Sequence, residues 1–137
     1  MSFEVFVQCF GEAQRTGLSR DAVRRLFPIS SEGPEFKGWA VRYDDLNWCD
    51  IHCTSHKDDP QRLIGLWVSR PCGDKRLWEA LYSILGMGSV FMIWPNGPLI
   101  LALGTAVEAL RDEMPIDLGP PVYVGSGHAI IEFLKKT

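Results

Sequence analysis

Three alternating segments follow one another in the middle of the chain, and they constrain the fold more than any other feature. Trp39, Val41 and Tyr43 alternate with Ala40, Arg42 and Asp44, the period of a strand with one buried face. Asp44-Asp45-Leu46-Asn47 has the composition of a turn. A second strand is expected from Trp48 to about Ser55, and a third from Arg62 to Ser69. Within the third, Leu63-Ile64-Gly65-Leu66-Trp67-Val68 is apolar at both parities, as in a strand covered on both faces. Strands joined by such short links pair with their neighbours, so an antiparallel meander with a central third strand is expected.

The flanking segments supply helices and further strands. Phe3 to Phe10 alternates, with Phe3, Val5, Val7 and Cys9 on one side and Glu4, Phe6, Gln8 and Phe10 on the other, so its second face is also partly apolar. Ser19 suits the cap of a short helix reaching Arg25 or Leu26, which Pro28 cannot continue. Ile29 to Phe36 then reads as a loop. Asp74 stands where a cap is wanted, Leu77, Leu81, Ile84 and Leu85 repeat at helical spacing, and Gly86 offers a left-handed stop. Pro95-Asn96-Gly97-Pro98 between Ser89–Trp94 and Leu99–Leu103 suits a tight reversal between two strands. Thr105 and Glu108 form a capping box for a helix that Pro115 ends. Val122 to Val124 is a short strand, and Ser126 or Gly127 opens a last helix with Lys135 and Lys136 at its C-terminal end. The sum is one α+β domain over residues 1–137, a mostly antiparallel sheet with about four helices packed on it.

A chain of 137 residues with 46% hydrophobic and 23% charged side chains has the composition of a globular domain and room for one core. Its formal charge of -3 lacks the positive field of a protein held mainly by nucleic-acid phosphates, so no direct nucleic-acid partner is expected. The start has no basic region and meets Glu4 early, and the apolar stretch from Ser89 is cut at Trp94-Pro95, so a cytoplasmic protein with no membrane span is expected. Cys9, Cys49, Cys53 and Cys72 are then expected as reduced, mostly buried thiols.

Four groups of residues bear on chemistry. Cys49, His52, Cys53 and His56 are potential zinc ligands within eight residues. On a strand, however, the two cysteines point to one face and the two histidines to the other, so they do not converge on one ion. Neither a metal nor another cofactor is expected. Gly125-Ser126-Gly127 opens a helix and resembles a phosphate-holding junction, but a dinucleotide fingerprint needs a third glycine where Ile130 stands. Cys53 lies beside His52 in sequence but on the opposite face, so they form no dyad, and Asp44-Asp45 and Asp58-Asp59 sit in turns without an apolar pocket to raise a pKa. The pairing of Cys72 with His128 is left open.

Two surface features remain. Asp44, Asp45, Asp50, Asp58 and Asp59 put five acids into sixteen residues against one base, Lys57, which predicts a negative rim on the meander's turns. Of five tryptophans, Trp39, Trp67 and Trp78 fall on expected inward faces, whereas Trp48 and Trp94 lie near turns and suit interface anchors.

Ser2-Phe3-Glu4-Val5-Phe6, Trp39-Ala40-Val41-Arg42-Tyr43, Arg70-Pro71, Leu77-Trp78-Glu79-Ala80-Leu81, Trp94-Pro95 and Val122-Tyr123-Val124-Gly125-Ser126-Gly127 resemble, over nearly the full length, a group of small uncharacterised bacterial proteins. The resemblance implies a shared fold and brings no active-site residues with it. Lone acidic α+β domains of this kind also look like immunity proteins, which protect bacteria from secreted toxins. The expected function is therefore protein binding without catalysis: an immunity protein, monomer or homodimer, whose acidic rim fills the basic cleft of a cognate toxin. The alternatives are a small enzyme or phosphate-ligand domain with a pocket near Gly125 to His128, and a homo-oligomeric subunit burying Trp48 or Trp94 against its copy.

Overall fold

A computed structural model describes residues 3–105 and 120–136. It contains nine strands: β1 (Glu4–Cys9), β2 (Leu18–Ser19), β3 (Ile29–Glu32), β4 (Gly38–Arg42), β5 (Trp48–His56), β6 (Asp59–Ser69), β7 (Val90–Ile93), β8 (Ile100–Ala102) and β9 (Val122–Val124). They form one sheet in the order β3-β4-β5-β6-β1-β7-β8-β9, with β2 also pairing β6. Every pairing is antiparallel except β8 with β9. The described residues also hold four α-helices, α1 (Gly11–Thr16), α2 (Arg20–Arg24), α3 (Lys75–Leu85) and α4 (Gly127–Leu134). The expected α+β class is therefore what forms. None of these helices is long and apolar enough to cross a membrane.

The helices pack on one face of the sheet. Leu77, Leu81, Ile84 and Leu85 of α3, all fully buried, join Val5 and Val7 of β1, Ile51 of β5, Leu66 and Val68 of β6 and Ile130 of α4 in one core. The caps that start these helices are the expected ones: Ser19 accepts from the Ala22 amide at 3.2 Å, Asp74 from the Arg76 amide at 2.9 Å, and Ser126 from the Ala129 amide at 3.1 Å. Each satisfies an amide that the first turn leaves unpaired.

Several local expectations are corrected. Ile29–Glu32 is not loop but edge strand β3, and Pro34–Phe36 is a single 3-10 turn. The segment shows little burial, so hydrophobic period gave no sign of pairing with β4. Helix α1 and strand β2 lie where no element was expected, being too short for a periodic signal. Gly86 keeps right-handed backbone, with φ -83°, so α3 ends without a left-handed residue. The reversal after β7 does form: Gly97 N–H donates to Trp94 C=O at 3.0 Å and Asn96 takes φ 64°, as a type II turn with Pro at its second position requires. The helix expected after Thr105 lies outside the described residues.

Candidate interaction face

In an antiparallel sheet, residues in register lie side by side on one face. Across five strands this rule builds a row Gly38, His52, Trp67, Phe6 and Ile93 on the face opposite the four described helices. His52 stacks on Trp67, with ring centroids 4.8 Å apart and planes 12° apart, and its Nε2 lies 2.9 Å from Ser69 Oγ. Phe6 is 39% exposed. Further along β7 and β8 the same side carries a small second core of Phe10, Phe91, Leu99 and Leu101, against which Ile93 packs. One row over, Ala40, Asp50, Ser69 and Glu4 lie in register, and beyond them Arg42 faces Trp48.

Trp48, 49% exposed, dominates this end of the face. It stands between two shallow depressions. One, of about 470 Å³, is lined by Phe3, Glu4, Trp48, Asp50, Ser69 and Arg70. The other, of about 230 Å³, includes Arg42, Asp45 and Trp48. Carboxylates thus flank the indole on both sides. Asp45 Oδ1 holds Arg42 at 2.5 Å. Asp44 instead organises the turn, accepting from the Leu46 and Asn47 amides at 2.8 Å each and from Asn47 Nδ2 at 3.1 Å.

Those hydrogen bonds, led by the Asn47 side chain, hold the Asp44 carboxyl below its ordinary pKa. A carboxyl depressed in the folded state adds stability above its unfolded pKa of about 3.9, and that stability disappears as pH falls through the lower folded value. Replacing Asp44 by alanine is therefore expected to lower stability in denaturant titrations at neutral pH. The gap between variant and parent should close in strong acid.

The structure splits the expected rim in two. Successive turns of a meander emerge at opposite ends of the sheet, and β5 is nine residues long, so about 27 Å separates the Asp44-Asp45 turn from Asp58 and Asp59. Asp59 Oδ1 is occupied with the Gln61 amide at 2.9 Å. Of the five, Asp45 and Asp50 line the depressions beside Trp48. Trp94 is a second correction. It is 5% exposed and part of the core, because the turn that follows folds Gly97 against the indole, where an added Cβ would sit 2.0 Å from Nε1. Trp67 is a third, lying beside Phe6 and His52 on the face opposite the described helices and not inward. The two-sided apolar pattern of β6 hid its orientation, although Phe6 in the alternation of β1 pointed to an apolar outer face.

The remaining candidates sort by position. Cys49 faces the core and Cys53 lies half-buried against it, while His52 lies across the strand on Trp67. His56 Nε2 lies 2.7 Å from the Arg15 carbonyl oxygen, and its Nδ1 accepts from the Asp58 amide. At the N-terminus of α4, the His128 amide donates to Glu79 Oε1 at 3.2 Å and the Ala129 amide to Ser126. A protein carboxylate thus occupies the position a phosphate would take. His128 Nε2 lies 3.7 Å from Glu132, and Cys72 lines a groove with Trp78 and Trp94. No family model matches this chain, and no curated protein or solved structure is significantly similar to it.

Proposed function

We propose that the protein is a binding module and not an enzyme, and that it presents the sheet face opposite its described helices, centred on Trp48, to a protein partner with a basic cleft. The reading takes its most concrete form as an immunity protein that occludes the active site of a bacterial toxin. The observation that carries it is a half-exposed tryptophan on the sheet face opposite the described helices, flanked by Asp45, Asp50 and Glu4 against Arg42 and Arg70. An aromatic ridge between two hollows is the form of an interface anchor, because a partner can surround the ring and exclude water from it. The carboxylates around it select a cationic partner and speed its encounter. Occupation of the α4 amides by Glu79 and Ser126 weighs against the phosphate-pocket alternative.

The test is capture from the lysate of the native cell at low salt, followed by assay of the captured protein. The expected partner is retained by the parent, inhibited by it, and released as salt rises. Trp48→Ala should weaken binding about thirtyfold, the loss of one anchor of about 2 kcal/mol. Asp45→Asn with Asp50→Asn should flatten the salt dependence, while Asp58→Asn with Asp59→Asn at the far end should leave it unchanged. Equal capture by Trp48→Ala would remove this face from the interface. Concentration-dependent dimerisation lost in Trp48→Ala would show that the face is filled by a second copy, overturning the toxin reading.

A further inference from the structure

A further hollow lies between the link after β6 and the C-terminal end of α4. It is a groove of about 540 Å³ with a mainly apolar lining, a size within the range of sites for small organic molecules. Phe3, Trp78 and Trp94 bring three aromatic rings to it, and Pro71, Ile131 and Leu134 add aliphatic walls. These walls stand on fixed elements. Trp78 and Trp94 are 3% and 5% exposed and belong to the main core, and the Trp78 indole holds the link by donating to the Cys72 carbonyl at 3.1 Å. A groove built in this way exists before its ligand arrives, which spares the ligand the cost of ordering it.

Two polar features define what such a ligand carries. Lys135 is the one charged side chain among the described residues that line the groove, and no described carboxylate lines it. Lys135 Nζ also lies 3.6 Å from Glu132, but both side chains of that pair are exposed, and exposed pairs hold their partners weakly. The second feature is the Trp94 N–H, which is buried and has no hydrogen-bond partner among the described residues. Buried donors are almost always satisfied. Gly97 does not block this one. An added Cβ at Gly97 would lie 2.0 Å from Nε1 and hardly farther, 2.4 and 2.5 Å, from the two ring carbons bonded to it. A group on the N–H axis would stand much farther from both carbons. Gly97 therefore covers the face of the ring and leaves the in-plane N–H clear of the turn, on an indole that forms the groove wall.

We propose that this groove binds a small aromatic carboxylic acid. The planar ring lies among Phe3, Trp78 and Trp94, where ring-to-ring contact adds to the burial of apolar area. The acid's oxygens supply the charge that complements Lys135 and the acceptor that the Trp94 N–H lacks. Hydrogen bonds to an ionised acceptor are the stronger kind, so the head fixes the ligand's orientation and the ring supplies most of its contact. A neutral hydrocarbon would leave both the cation and the donor without a partner. An amine would meet Lys135 with like charge. An aliphatic acid would satisfy the head but not the three rings. The site does not depend on the partner-binding face: Trp48 is not among its lining residues, although Phe3 lines both hollows.

The experiment is equilibrium dialysis of the full-length chain against 2-naphthoate, with 2-naphthamide and octanoate as comparisons. The aromatic acid should bind at one site per chain with a dissociation constant of about 100 μM, the affinity that an open groove gives a ligand of this size. The amide, which keeps the shape and loses the charge, should bind about tenfold more weakly, as should octanoate. Lys135→Gln should weaken binding about threefold at low salt and remove most of its salt dependence. Ile131→Trp, which fills the groove, should remove binding, and Trp48→Ala should leave it unchanged. In the parent, binding should also shift the Trp94 indole N–H resonance downfield and leave those of Trp39 and Trp67 in place, a readout that needs no variant to fold. A stationary Trp94 resonance, or no saturable binding at millimolar acid, overturns the proposal. So does equal affinity for the amide or octanoate, retention of binding in Ile131→Trp, or an unchanged affinity and salt slope in Lys135→Gln.

Discussion

Replacing Gly127 with alanine is expected to destabilise the protein by about 3 kcal/mol and to lower its melting temperature by about 10 °C. The first residue of α4 crosses α3 so closely that a Cβ there would lie 2.5 Å from the Glu79 nitrogen and 2.6 Å from the Trp78 carbonyl carbon. Both are backbone atoms of a packed helix, so no side-chain rotamer relieves the clash and one helix must move. Movement would also pull the His128 amide from Glu79 and disturb the seat of Ile130, which is fully buried. Thermal unfolding followed by circular dichroism should rank Gly127→Ala well below Ser126→Ala. The latter loses only a helix cap, about 1 kcal/mol. Equal melting temperatures for the two variants would show that the helices are not held at this distance.

Gly127 also illustrates what the sequence could convey. Its place at the start of a helix was legible because Ser126 and the apolar spacing of Ile130, Ile131 and Leu134 are local signals. Its close approach to α3 depends on a residue 48 positions away and leaves no local trace. The same distinction runs through the molecule. The meander, α3 and the Pro95-Asn96 reversal each follow from a period or a turn residue within a dozen positions. The orientation of Trp67 and Trp94 was not legible, since a strand apolar on both faces carries no parity signal and a tryptophan beside a turn can fold inward. Trp48 was legible as a surface residue because it adjoins a polar turn. The acidic rim failed for a geometric reason: proximity in sequence joined turns that a nine-residue strand carries to opposite ends of the sheet.

Truncating Trp78 to alanine should be the most damaging single change described for this chain, costing about 4 kcal/mol. The side chain is 3% exposed and packs within the main core on α3. Neighbours held by sheet pairing and by the α3–α4 crossing have little freedom to collapse into the space it leaves, and an unfilled void forfeits both transfer energy and dispersion contacts. Its indole also donates from Nε1 to the Cys72 carbonyl at 3.1 Å, tying the link between β6 and α3 to the helix. Trp78→Phe separates the two roles, since it retains much of the apolar volume but loses that donor and leaves a half-buried carbonyl without its partner. Chemical denaturation should show Trp78→Phe losing about half as much stability as Trp78→Ala. If Trp78→Phe is as stable as the parent, the hydrogen bond from the indole contributes nothing to stability and the link is held by α3.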